Sequence, residues 1–127
     1  MTTVFPILQY RDAKAAIDFL ERAFGFERAA VHEDEAGAVA HAELKRDSAY
    51  VMVSTHRPDS EFGRIAPPPG SAAVYVATEG VDELHDRAKA AGAEIAMSLR
   101  DTDYGSRDFS ARDPEGNVWS FGTYAPA

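Results

Sequence analysis

DAKAAIDFLERAFGFE, residues Asp12 to Glu27, reads as one helix with the turn that ends it, and the chain can be ordered outward from it. Asp12 is a good N-cap, because its carboxylate can accept an N–H that the first helical turn leaves unpaired. Ile17, Leu20 and Phe24 fall at helical spacing on one face, backed by Ala13 and Ala16. Gly25 ends the helix as a residue tolerant of the left-handed conformation would. Upstream, Val4 to Tyr10 reads as a strand, with Pro6 implying an edge or bulged position. Downstream come three strand-like runs, Arg28–Glu33, Ala38–Lys45 and Tyr50–Ser54, with turns at Asp34–Gly37 and Arg46–Ser48. The order is strand, helix, three strands.

A Pro-rich connector, RPDSEFGRIAPPPG, follows, and the same order recurs after it. Ala72–Ala77 is strand-like. Val81, Leu84, Ala88 and Ala91 form the stripe of a second helix that Gly92 ends. Glu94–Met97, Arg107–Arg112 and Val118–Tyr124 complete the set, with DPEGN (Asp113 to Asn117) as the turn before the last strand. A shift of 67 residues places Asp12 on Glu79, Ile17 on Leu84, Gly25 on Gly92 and Glu27 on Glu94. One added gap places Asp47–Ser48 on Gly116–Asn117. Neither half could bury both its sheet face and its helix alone, which gives the repeat a physical reason. The chain is therefore expected to be one α+β domain over residues 1–127, built from module one (1–56), a connector (57–70) and module two (71–127).

Composition narrows the function. With 127 residues and 45% apolar content, the chain suits one compact, well-cored domain. It contains no cysteine, which removes disulfides, thiolate catalysis and Cys-based metal sites. No apolar run approaches the roughly 20 residues of a membrane span. The N-terminus lacks the pattern of a signal peptide, so a cytoplasmic location is expected. A net charge of −8 argues against nucleic acid as a partner and permits a cationic ligand. No Ser-His-Asp order, phosphate-cradling Gly loop or dinucleotide fingerprint is visible.

The stretch YGSRDFSARDPEGNVWSFGTY (Tyr104 to Tyr124), together with the Asp12–Glu27 helix, resembles the vicinal-oxygen-chelate superfamily. That group holds glyoxalase I, extradiol dioxygenases, fosfomycin-resistance enzymes and bleomycin-binding resistance proteins. The resemblance covers nearly the whole chain. It implies two βαβββ modules whose mixed sheets curl into a half-barrel, with helices outside and a cavity inside. It also implies a homodimer. Enzymes of the superfamily hold a divalent metal with His, Gln or Glu on the first and last strands of each module. Overlaying the helix starts and the DPEGN turns places those positions near Phe5, Val51, Ala73 and Ser120, none of them a competent ligand except Ser120 in a very weak sense. The expectation is that the usual metal site is missing, so that no metal or other cofactor is held.

Strand alternation sorts the candidate site residues. On the last strand Trp119 and Phe121 share a face read as core beneath a helix, leaving Ser120 and Tyr124 toward the cavity. By the same parity Phe5, Ile7 and Gln9 line it on the first strand, and Ala73, Tyr75 and Ala77 on the fifth. The alternative is that these aromatics simply pack against one another. His41 and Glu43 share a face opposite Ala40, Ala42 and Leu44, as a base with its orienting partner or as two metal ligands. A solvated strand face with a local hydrogen bond is the competing reading. His32 reads as an exposed strand end, His56 as part of the connector, and His85 as lying near a helix surface. Arg107, beside Asp108 and the Tyr104–Gly105 turn, is a clamp for an anion or interface, or an ion pair that fixes its strand. The connector, with Phe62 and Ile65, is either a lid or a plain surface linker. These residues lead to a small-molecule binding protein, similar to the bleomycin-resistance branch, that sequesters a drug-like or cationic aromatic ligand without catalysis. The alternative is a metal-dependent lyase, isomerase or dioxygenase with a displaced site using His41, Glu43 or Gln9.

Overall fold

A computed structural model describes all residues, 1–127. In chain order the elements are β1 (Ile7–Tyr10), α1 (Ala13–Phe24), β2 (Glu27–Glu33), β3 (Val39–Arg46), β4 (Ala49–Thr55), α2 (Glu61–Ile65), β5 (Ala73–Ala77), α3 (Val81–Ala90), β6 (Glu94–Asp101), β7 (Arg107–Arg112) and β8 (Val118–Gly122). They form two four-stranded mixed sheets, ordered β1-β4-β3-β2 and β5-β8-β7-β6. In each the module's first strand runs parallel to its last, and the remaining pairs are antiparallel. The fold is α+β with the sheets not closed into a barrel.

The repeat holds in backbone geometry except at the helix starts, where α3 is capped by Gly80 without a side-chain bond and not by Glu79, which the overlay sets on Asp12. Asp12 caps α1, its side chain accepting from Ala15 N–H at 3.1 Å, and Gly25 closes it with φ +76°. Glu27 and Glu94 each open the second strand of their module. Asp47 and Gly116, matched by the overlay, both take positive φ in the turn before the last strand. That conformation crowds Cβ, and Asp is among the few residues that tolerate it.

One core joins the modules. Phe24 of α1 lies 5.5 Å from Trp119 and 4.8 Å from Phe121, and Phe26 lies 5.6 Å from Trp119. Trp119 and Phe121 are fully buried, as their parity predicts. The two long helices also pack against each other. Both poles of α1 are also held by the second module. The Glu115 carboxylate accepts from Arg11 and Asp12 N–H at 2.7 and 2.8 Å, and Arg87 donates to the carbonyls of Arg22 and Glu21 at 2.9 Å each.

Several sequence readings need correction. β1 begins at Ile7 rather than Val4, since Pro6 offers no N–H to a ladder. β6 continues past Met97 to Asp101 across two register shifts, which break the alternation used to bound it. β8 stops at Gly122, short of Tyr124. A register shift opposite His32 and Glu33 turns Ala40 to solvent, away from buried Ala42 and Leu44. The connector also contains α2, whose cap Ser60 accepts from Gly63 N–H at 2.9 Å.

Candidate functional site

Alternation leaves one face of the first sheet without a covering layer. Leu8, Tyr10, Ala42, Leu44, Val51 and Val53 point into the core and are buried. Phe5, Ile7, Gln9, His41, Glu43, Tyr50 and Met52 point the other way and are half-buried or exposed. A cleft of about 340 Å³ opens here, lined by Phe5, Glu43, Tyr50, Val51 and Met52. Phe5 and Tyr50 meet edge to face at 6.1 Å. The Glu43 Oε2 lies 2.9 Å from His41 Nε2, and the His41 ring lies parallel to that of His32 across the strands at 6.4 Å. Both members of the His41–Glu43 pair keep about two-fifths of their side chains exposed, so water screens it. The result is a carboxylate beside aromatic and thioether surface, a setting that suits a planar or cationic group. Gln9 lies further along, its Oε1 3.0 Å from His56 Nδ1.

The second sheet presents its own open face. The Tyr75 hydroxyl donates to the Tyr124 carbonyl at 2.6 Å, and Tyr104 stands edge-on to Tyr124 at 6.0 Å. Burial, reinforced by Tyr104 and Asp108, raises the Tyr75 phenol above its ordinary value. Ser120 shares a 2.7 Å hydroxyl contact with Ser110.

The expected site residues thus fall into two clusters. Phe5, Ile7, Gln9, His41 and Glu43 lie on the first sheet, and Tyr75, Tyr104, Ser120 and Tyr124 on the second. A crevice of about 240 Å³ between the modules is lined by Phe5 and Tyr50 on one side and Tyr75 on the other. Arg107 joins neither cluster. Its guanidinium donates to Asp82 at 2.7 Å and to Asp101 at 3.1 Å, and these bonds raise its pKa. Asp108 is paired with Arg100 at 3.0 Å instead. His85 sits edge-on to Phe109 at 5.2 Å. Tyr50 and Met52 were absent from the expected lining, although their alternation with buried Val51 and Val53 marks them.

The metal positions drawn from the superfamily can now be placed. Val51 points into the core, and Met52 occupies the outward position in its stead. Phe5, Met52, Ala73 and Ser120 offer no imidazole and no carboxylate, and no three His, Asp or Glu side chains converge anywhere in the chain. This donor set does not fit a divalent cation of the kind those enzymes hold.

Fold, module order and open sheet faces define a class, and sequence comparison agrees with it. Residues 3–121 match the Glyoxalase/Bleomycin resistance protein/Dioxygenase superfamily, and the chain belongs to that family. Among solved structures it is similar to TioX from Micromonospora sp. ML1, with 32% identity, a TM-score of 0.83, and coverage of 98% of this chain and 100% of that one. A glyoxalase/bleomycin resistance protein/dioxygenase family enzyme from Burkholderia phytofirmans PsJN shares the fold at 22% identity and a TM-score of 0.69, covering 93% and 94% of the two chains. An uncharacterized protein of Mycobacterium bovis is 30% identical over 121 residues, which span 92% of this chain and 80% of the relative.

Proposed function

We propose that the chain is a small-molecule binding protein of the glyoxalase/bleomycin-resistance type, without the usual metal centre, that sequesters a drug-like or cationic aromatic ligand. The observation that carries this reading is Glu43, whose carboxylate stands in a cleft walled by Phe5, Tyr50 and Met52. A cation entering there gains the carboxylate and the ring faces together. His41 orients the carboxylate from the side, leaving its second oxygen for a ligand. Acidic balance across the chain supports the same sign of ligand and disfavours nucleic acid. No helix is long and apolar enough to cross a membrane. A cytoplasmic setting fits a sequestering role in antibiotic resistance.

The functional unit in this reading is a homodimer. The aromatic faces of both sheets are open, and a second copy could cover them, with Tyr75, Tyr104, Ser120 and Tyr124 of one copy completing the pocket of the other. Arg107 remains a strand-fixing ion pair in this scheme.

Fluorescence titration with N-methylacridinium, a planar aromatic cation, tests the reading. Saturable binding that weakens about tenfold or more in Glu43→Gln supports it, and no binding, or binding indifferent to that change, sinks it. The enzyme reading has one observation in its favour, the His41–Glu43 pair. Elemental analysis after incubation with Mn²⁺, Zn²⁺, Ni²⁺ or Fe²⁺ separates the two. Near one equivalent of bound metal, lost in His41→Ala, restores the enzyme; less than about a tenth of an equivalent at micromolar metal leaves the binder.

A further inference from the structure

The open face of the first sheet does not end at the Glu43 cleft. Its apolar row continues from Phe5 to Ile7 and reaches a hollow of about 60 Å³ at the edge of β1, where Phe62 and Pro67 of the connector meet Ile7, Gln9 and the second module's Ala72 and Asn117. Phe5 and Gln9 lie four residues apart on extended backbone, a run of ~13 Å. Phe5, Ile7 and Phe62 are 43%, 51% and 45% exposed. Single exposed apolar side chains need no explanation, but a continuous row leading out of a charged cleft marks a binding surface.

Phe62 stands at the far end because α2 is fixed there. Ser60 Oγ donates to the Arg57 carbonyl at 2.8 Å while it accepts from Gly63 N–H. Gly63 packs so tightly on that carbonyl that a Cβ would lie 1.8 Å from its oxygen. Arg57 in turn is paired with Asp34 in the β2–β3 turn. The helix is therefore held beside the hollow, and it buries only Gly63 among its own residues. Gln9, midway, has its amide oxygen 3.0 Å from His56 Nδ1.

We propose that the ligand is elongated, with a planar cationic head in the Glu43 cleft and an apolar arm that runs past Ile7 to end against Phe62. This rests on the binding-protein reading above and adds the shape of the ligand and the residue that measures its length. Two probes differing only in the arm test it: N-methylacridinium and N-octylacridinium, each below its aggregation concentration.

The octyl probe is expected to bind wild-type protein about tenfold or more tightly than the methyl probe, from apolar area buried along the row. Phe62→Ala should remove most of that advantage and leave the methyl probe unchanged. Ile65→Ala, at a residue 81% exposed and outside the hollow, should keep it. Equal affinities for the two probes, or an octyl advantage that survives Phe62→Ala, would overturn the elongated ligand and leave the head-group site standing. Failure of the methyl probe to bind, or indifference to Glu43→Gln, would instead overturn the reading beneath it.

Discussion

The Tyr10 hydroxyl donates a 2.5 Å hydrogen bond to the Asp113 carboxylate, joining the end of the first strand to the turn before the last. Both residues are buried. Asp113 accepts in addition from Asn117 Nδ2, Trp119 Nε1 and the backbone N–H groups of Glu115 and Asn117. A buried charge persists only where such donors surround it, so the DPEGN turn is organised around this one side chain.

Asp113→Ala should leave those donors without an acceptor and cost about 3–5 kcal/mol of unfolding free energy. Tyr10→Phe removes one donor of several and should cost about 1–2 kcal/mol. Urea denaturation of the two variants measures both. A loss below about 1 kcal/mol in Asp113→Ala would mean the network carries little.

Alkaline pH should destabilise the protein through Tyr10. Burial, then the Asp113 charge, pushes its phenol far above the ordinary value. The folded state thus holds the proton to higher pH than the unfolded chain, where the phenol ionises near pH ~10. The stability tied to this proton is fully present below that pH and is lost as pH rises beyond it. Tyrosinate absorbance should show one of the five tyrosines titrating only with unfolding, and Tyr10→Phe should flatten the fall in stability. A fifth phenol that ionises in the native state would contradict this.

Much of the architecture was legible because it rests on spacing that a single chain displays. The α1 stripe, the two helix-ending glycines and the parity of Trp119 and Phe121 each follow from local periodicity. Ala40 and the length of β6 were not legible, because a bulge shifts parity without changing composition. The site divides the same way. His41 and Glu43 were visible as a pair, but Phe62 was not visible as a wall of that face. Its place depends on α2 folding back beside β1, a long-range event that no spacing encodes. Val51 was placed outward by a one-residue slip, which turns a side chain to the opposite face.

Gly63→Ala should open α2 without unfolding the core. The added methyl meets the Arg57 carbonyl, backbone that cannot give way cheaply. Amide exchange should rise across residues 60–66 while the buried core of the first module keeps its protection. The N-octyl advantage should fall in this variant as it does in Phe62→Ala.

Gly25→Ala should cost about 1–2 kcal/mol, read from thermal or urea midpoints. The backbone there has φ +76°, and a Cβ would stand 3.0 Å from Arg46 Nη1 and 3.2 Å from Arg87 Nη1. Both guanidiniums bond the last carbonyls of α1, so their displacement adds to the strain.

The Glu115 and Arg87 contacts at the two poles of α1 bear on how the two halves depend on each other. A helix encoded and capped by the first half is braced at each end by side chains encoded in the second. The two halves complement each other as the subunits of an obligate heterodimer would. Cut within the connector and expressed as separate polypeptides, they would be expected to find each other rather than fold alone.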